Sequence, residues 1–246
     1  MQILVIDIGN TRASLGFFHH DALIWRRDLP TEAICEKIET FIAERLDLCV
    51  ISCVSLKAAS LLDFVRAQVH CPVIDVQSTR APLVIHYDHP EKLGQDRIAN
   101  ALGASIYTST GAIVIDMGTA THFDILDSHG EFWGGPILAG VETMVSGLVA
   151  RIPHLPSPAL TDPIDPLSQN TESAIRTGTL LAAAGGIDRI VQEIKAVCDF
   201  DPKIILTGGN AHLVEARIQY DTWIPTLTLE GLCVYGIRAH TLAIAC

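Results

Sequence analysis

LVIDIGNTRASLGFF, Leu4 to Phe18, runs from an apolar strand into a lone aspartate, then a glycine, an asparagine and a threonine, before apolar residues resume. Leu4, Val5 and Ile6 read as a buried strand, and a carboxylate at the end of such a strand is costly unless it is paired or holds a cation. The design returns in IVIDMGTATHFDIL, Ile113 to Leu126: strand, aspartate, one residue, glycine, then hydroxyl residues. Asp7 and Asp116 thus take equivalent places, 116 − 7 = 109 residues apart, and the chain reads as two copies of one strand and turn. A third strand end, KIILTGGNA from Lys203 to Ala211, closes on Thr207, Gly208 and Gly209 instead of an acid. Glycines there let backbone N–H groups come close to a ligand, as phosphate-cradling turns require.

A length of 246 residues with 49% hydrophobic content allows two small domains with ample cores, and the repeat places their boundary between residues 111 and 112. No apolar run reaches the length of about 18 residues that a membrane span needs. Met1 leads directly into the first strand without a charged leader, so the expectation is a soluble, cytoplasmic protein with no membrane contact. Seven cysteines, Cys35, Cys49, Cys53, Cys71, Cys198, Cys233 and Cys246, form no CxxC pair, which points to reduced, mostly buried thiols and against a zinc site. With Lys+Arg 17 against Asp+Glu 28 the formal charge is −11, unfavourable for a nucleic-acid binder. A phosphate ligand would have to be neutralised by metal ions and backbone amides.

The first half reads as strands over 3–7, 13–18 and 22–27, a helix capped by Thr31 and running towards Leu46, and buried strands CVISCV and PVIDV either side of a helix near Lys57 to Val69. This is a mixed α/β layout. In YDHPEKLGQDRIANALGASIY, Tyr87 to Tyr107, helical spacing starts at Gln95, which sets Asp96 and Arg97 at a helix N-terminus. The second half repeats the plan with strands near 112–116, 122–127 and 131–137 and a helix over 136–152. A proline-rich connector or lid spans 153–170, and a long helix runs from Thr171 to Val197, where Ala182 to Gly186 suit close packing inside a domain or at an interface. A strand, a TLEGL turn and a last helix to Ala245 complete the chain.

Both aspartate turns, GQDR, NTESAI, LTGGNA and TLEGL, in this order, resemble the type III pantothenate kinases, of the actin-like and sugar-kinase ATPase superfamily. The resemblance covers nearly the whole chain. It implies two duplicated actin-like (ribonuclease H-like) α/β domains with mixed sheets and an interdomain cleft, and the need to keep water from ATP leads us to expect partial closure of that cleft on substrates. It also implies a homodimeric enzyme that takes ATP and pantothenate, the first step of coenzyme A biosynthesis, with Mg²⁺ and a monovalent cation, potassium or ammonium.

Carried over residue by residue, the resemblance makes Asp7, Ile8, Gly9, Asn10, Thr11, Arg12, Ala13 and Ser14 the first phosphate loop, with Asp7 on Mg²⁺ directly or through water. Asp116 becomes the monovalent-cation aspartate, Thr119 a second nucleotide-phosphate contact, and Gly208 with Gly209 the adenosine-side turn. Asp96 corresponds to the catalytic base, which aligns the pantothenate 4′-hydroxyl and takes its proton. Arg97 would bind the substrate carboxylate or developing charge, with Gly94, Gln95, Tyr87 and Thr171 as further substrate contacts. Read without the resemblance, Asp7 and Asp116 could cap their own turns, and either Thr171 or Asn170 could cap the long helix.

Two departures stand out: His122 where many relatives have threonine, and Gln95 where a small residue is usual. His122 reads as a packed or hydrogen-bonded side chain rather than an acid or metal ligand, and His86 and His89, with no supporting carboxylate pattern, read as structural. Two alternatives remain open at this point: a kinase of the same superfamily acting on another small molecule, and a non-catalytic regulator of the same fold.

Overall fold

The computed structural model describes residues 1–42, 45–54 and 58–245. Lys57, with which a helix was expected to open, and Cys246 lie outside them, as do two residues of the helix expected over 31–46. In chain order the elements are β1 (Gln2–Ile8), β2 (Arg12–His19), β3 (Ala22–Pro30), α1 (Ile34–Lys37), β4 (Leu48–Cys53), α2 (Ala58–Gln68), β5 (Val73–Asp75) and α3 (Gln95–Tyr107). There follow β6 (Ala112–Met117), β7 (Ala120–Leu126), β8 (Ile137–Ala139), α4 (Val141–Arg151), α5 (Thr171–Val197), β9 (Lys203–Thr207), β10 (Thr222–Trp223) and α6 (Leu227–Ala245).

The duplication is explicit in the sheets. One has the order β3-β2-β1-β4-β5, the other, read from its opposite edge, β8-β7-β6-β9-β10. In each, the strand carrying the aspartate pairs antiparallel with the next strand and parallel with the fourth. Asp7 and Asp116 are therefore topological equivalents.

Each sheet buries one face on its own helices. In the first, Leu4, Ile6 and Ile8 pack with Ile34 and Ile38 before β4 and with Leu61 and Val65 of α2. In the second, Ile113, Ile115 and Met117 pack with Leu180, Ala183, Ala184 and Ile187 of α5. Fully buried aliphatic side chains such as these contribute about 1.5–3 kcal/mol each. Of the run Ala182 to Gly186, Ala183 and Ala184 thus serve the domain core, while a Cβ on Gly185 would meet nothing within 4 Å.

The chain divides into two compact units that differ from the boundary expected at 111/112. The first holds Met1–Ser109, His129–Gly134 and Thr226–Cys246; the second holds Thr110–Ser128 and Gly135–Pro225. The C-terminal helix returns to the first unit because α6 packs on α3, β1 and β4. Two glycines make that packing possible: a Cβ on Gly231 would lie 1.7 Å from the Ala99 carbonyl oxygen, and one on Gly103 would lie 2.5 Å from that of Leu227. TLEGL is consequently the first turns of α6 and no separate turn, its glycine serving contact rather than chain reversal.

Three other expectations shift for local reasons. Thr31 sits in a 3-10 turn and caps nothing, and the helix after it is only Ile34–Lys37 with a further 3-10 turn to Phe41. The strand expected over 131–137 is confined to Ile137–Ala139, since Gly134 and Gly135 have φ of +77° and +137° and break the extended path. The helix expected from Pro136 begins at Val141 instead.

Candidate active site

In the first unit, β1 brings Asp7 into register with Ser14 of β2 and Ser52 of β4. Laterally paired residues share a sheet face, so these polar groups form one row. The Ser14 hydroxyl donates to Asp28 Oδ1 at 2.6 Å. Ser52 is fully buried, and its hydroxyl has no hydrogen-bond partner among the described residues.

The turn after Asp7 is closed by the Gly9 N–H donating to the Arg12 carbonyl at 3.0 Å. Thr31 braces it: its hydroxyl donates to the Gly9 carbonyl at 2.9 Å, and its N–H to the Thr11 carbonyl at 3.1 Å. Asn10, Thr11 and Arg12 are exposed at the tip, whereas Ile8 and Ala13 are core residues that can offer a ligand only backbone groups. Thr31 is a supporting residue that sequence reasoning assigned to a helix cap, because nothing local signals a contact spanning 22 positions.

The second element of this unit is the start of α3. Gly94 occupies the N-cap position, and a Cβ there would lie 2.5 Å from Asp96 Oδ1. That oxygen accepts the Arg97 N–H at 2.9 Å, so the carboxylate folds over the first turn into space that only glycine leaves open. The positive end of the helix dipole favours a negative charge there. Gln95 turns its Oε1 to the Cys53 N–H at 2.7 Å and ties α3 to the end of β4. Arg97 is buried, its guanidinium 5.7 Å from the Phe132 ring centre. Beneath it, buried Asn100 accepts from the Thr228 hydroxyl at 2.8 Å, pinning α3 to α6.

Tyr87 is 39% exposed, with its ring edge against Gly134, where a Cβ would approach to 3.2 Å. The segment is held by the His86 N–H donating to the Phe132 carbonyl at 2.8 Å. His86, expected to lack a carboxylate, has Nε2 2.6 Å from Glu131 Oε2 and stacks on Trp133 with ring centres 4.0 Å apart. His89 lies 3.4 Å from Glu91. The Glu131 partner is 45 residues away and invisible to local pattern.

In the second unit, Asp116 pairs with His122 of β7 and Thr207 of β9. Gly208, with φ +92°, follows Thr207, and a Cβ there would come 2.6 Å from Asp116 Oδ1 and 2.3 Å from the Met117 nitrogen. Glycine thus lets the backbone press against the aspartate turn. Thr119 is exposed at the tip, its carbonyl accepting from the Gly140 N–H at 3.0 Å and the Thr143 hydroxyl at 2.6 Å. The Asn210 N–H donates to the Met117 carbonyl at 2.9 Å, and His212 Nδ1 lies 3.0 Å from the Gly209 carbonyl. A cavity of about 400 Å³ lies alongside, lined by Glu142, Ser146, Ser157, Thr161, Asn210 and His212 among others. At the start of α5, Asn170 is the cap: its Oδ1 accepts the Ser173 N–H at 2.9 Å, and Thr171 is exposed.

Both aspartate turns suit cations. A buried hydroxyl without a partner costs about 1–3 kcal/mol, and a hydrated Mg²⁺ held through Asp7 would give Ser52 one. At Asp116, Gly208 brings the backbone after β9 against the carboxylate, so an ion there would be held by Asp116 together with groups of that turn. Among the described residues no group of three or more His, Cys, Asp or Glu side chains could hold a metal by itself, so phosphate oxygens and water would have to complete either shell.

The chain matches a family described as "Type III pantothenate kinase" over residues 3–193. A type III pantothenate kinase of Acidothermus cellulolyticus is 33% identical, covering 94% of this chain and 96% of its own. Among solved structures, a Campylobacter jejuni protein titled as a Baf family transcriptional activator superposes with a TM-score of 0.62 at 21% identity, over 99% of this chain and 100% of that one. MreB 5 of Spiroplasma citri, solved with AMPPNP, gives 0.54 at 13% identity over 99% and 98%. These structural likenesses establish the actin-like fold.

Proposed function

The chain belongs to the type III pantothenate kinase family, and from that premise we propose how its residues transfer the ATP γ-phosphoryl group to the 4′-hydroxyl of pantothenate. The observation that carries the reading is the match over residues 3–193, with the acids the reaction requires at strand and helix ends. Asp96 at the start of α3 aligns the acceptor hydroxyl and takes its proton as the new P–O bond forms and the bond to ADP breaks. Arg97, buried beside it, is placed to neutralise the carboxylate of pantothenate, and Tyr87 and Thr171 add contacts from their exposed positions. Gln95 supports the helix start through β4 by its Oε1 and keeps its amide NH2 as a donor for substrate.

The turn Gly9–Arg12, braced by Thr31, offers N–H and hydroxyl donors to the phosphates, as does Thr119 in the second unit. The adenosine takes the cavity beside Gly208 and Gly209, whose volume lies in the range of small-molecule sites. Mg²⁺ is assigned to Asp7 and Ser52, and a monovalent cation, potassium or ammonium, to Asp116. When bound, these ions offset phosphate charge, which a chain of net charge −11 supplies poorly. That charge also disfavours nucleic-acid partners, and no described helix is long and apolar enough to cross a membrane.

A homodimer is supported by the outer side of α4 and α5, where Gly147, Gly178 and Gly185 have open space and Leu148 and Leu181 are 37% and 43% exposed. Sedimentation as a monomer at micromolar concentration would refute it. The activity is tested by incubating the protein with ATP, Mg²⁺ and potassium and either pantothenate or a panel of sugars and short acids. Mass-detected 4′-phosphopantothenate alone is expected. A phosphorylated sugar or acid in its place, or no product from folded protein, would overturn the reading.

A further inference from the structure

Residues 129–134, between β7 and β8, belong to the first unit. The segment is extended at Phe132, which forms a parallel bridge with Ile85: its N–H donates to the Val84 carbonyl at 2.9 Å, and its carbonyl accepts the His86 N–H. Side chains alternate across an extended backbone, so Glu131 and Trp133 leave on one side and Phe132 on the other. The contacts follow that alternation. Glu131 Oε2 lies 2.6 Å from His86 Nε2, and Trp133 stacks on the same imidazole with 19° between the ring planes. An ionised carboxylate only accepts, so Nε2 carries a hydrogen whether the imidazole is neutral or charged. Phe132, fully buried on the other side, sets its ring under the Arg97 guanidinium, and Gly134 puts its backbone against the Tyr87 ring.

We propose that Glu131 and Trp133, acting through His86, are positioning residues for the acceptor substrate: clamped on His86, they fix the backbone that seats Arg97 and Tyr87. The inference rests on the assignment of Arg97 to the pantothenate carboxylate and of Tyr87 to a further substrate contact. Tyr87 is partly exposed and meets Gly134, which sits at φ +77°, a conformation from which glycine can take other paths. A short two-stranded pairing is marginal in water by itself, and the hydrogen-bonded pair and the stack on either side of Phe132 reinforce it. Arg97 is drawn to the Phe132 ring, and a guanidinium that drifts with that ring loses the fixed fork geometry with which it meets a carboxylate. Glu131 and Trp133 are themselves partly exposed, so removing either costs the core little.

The test uses the full chain with ATP, Mg²⁺ and potassium. In Glu131→Ala and in Trp133→Ala, KM for pantothenate should rise about tenfold, the effect of one hydrogen bond to a charged group, with KM for ATP unchanged. The carboxylate is remote from the reacting hydroxyl, so kcat should change less than KM. Glu131→Gln, which still accepts from Nε2, and Trp133→Phe, which still stacks, should bring KM back towards the unaltered value. Inhibition by a neutral analogue of pantothenate, with a hydroxymethyl group in place of the carboxylate, separates positioning from general damage. Its Ki should rise much less than KM, because it forms no ion pair with Arg97. Melting temperature should fall by no more than about 4 °C, as for other exposed pairs. KM for pantothenate unchanged in either folded alanine variant, a rise shared equally by ATP, a Ki rising in step with KM, or conservative variants as impaired as the alanines would overturn the proposal. Absence of 4′-phosphopantothenate from the unaltered protein would overturn the assignment of the site, and the proposal with it.

Discussion

Replacing Gly94 by alanine separates the chemistry of Asp96 from the stability of the fold. The glycine has φ −58° and ψ 135°, which any L-residue adopts without strain. The new methyl would lie 2.5 Å from Asp96 Oδ1, when ordinary contact begins near about 3.4 Å, so the carboxylate must move by roughly 0.9 Å. It is a side-chain oxygen, able to rotate away, and the backbone need not follow. Alanine at a position with compatible dihedrals gains about 0.4–1 kcal/mol through the unfolded chain. Against that, glycine is the better N-cap residue, and the displaced carboxylate loosens the bond from the Arg97 N–H, worth about 0.5–1.5 kcal/mol. The net is a fall of at most about 2 kcal/mol, which leaves the protein folded. Misplacing a reacting group by about 1 Å costs on the order of 100-fold. ADP release in a coupled assay, run beside thermal melting, should thus show kcat falling about 100-fold in a protein that stays folded at the assay temperature. Unaltered kcat, or a loss of activity matched by a loss of folding, would refute the reasoning.

Thr31→Val removes the hydroxyl that holds the Gly9 carbonyl and should cost about 0.5–1.5 kcal/mol in denaturant unfolding, with KM for ATP raised more than KM for pantothenate. Asn170→Ala deletes the α5 cap and should lower stability by about 0.5–2 kcal/mol, whereas Thr171→Val should leave the melting temperature in place and raise KM for pantothenate. Burial pushes the Cys49 thiol far up and that of Cys233 up to about 12, with nearby acids adding to both. Both therefore stay protonated in the folded state at pH 8 and should resist thiol reagents until the chain unfolds. Their stabilising contribution is complete below the unfolded thiol value of about 8.5 and is lost as pH rises from there towards the folded values, so melting temperature should fall over that interval.

Much of the fold was legible because the repeated strand and turn is a local signal. The apolar run, the aspartate and the following glycine specify the end of β1 and of β6, and the identical strand orders are the outcome. Packing that depends on distant backbone was not legible. Gly231 reads as a turn residue until the Ala99 carbonyl is seen where its side chain would be, and that contact returns α6 to the first unit. Within the site, the sequence placed Asp96 and Arg97 at a helix start but could not separate the roles of their neighbours. Gln95 faces the Cys53 amide across 42 positions, Thr31 faces Gly9 across 22, and His86 faces Glu131 across 45. Each is a polar group satisfied by a partner with no fixed spacing, the kind of contact periodicity cannot carry.

The central claim, that the carboxylate at the start of α3 is the base acting on the acceptor hydroxyl, is tested most directly by steady-state kinetics of Asp96→Asn. Asparagine keeps the shape and the hydrogen bond from the Arg97 N–H but cannot take a proton. The account predicts kcat lower by about 10²–10⁴-fold, with KM for ATP and melting temperature unchanged. A variant that phosphorylates pantothenate within about threefold of the unaltered rate, far short of a general base's contribution, would contradict it.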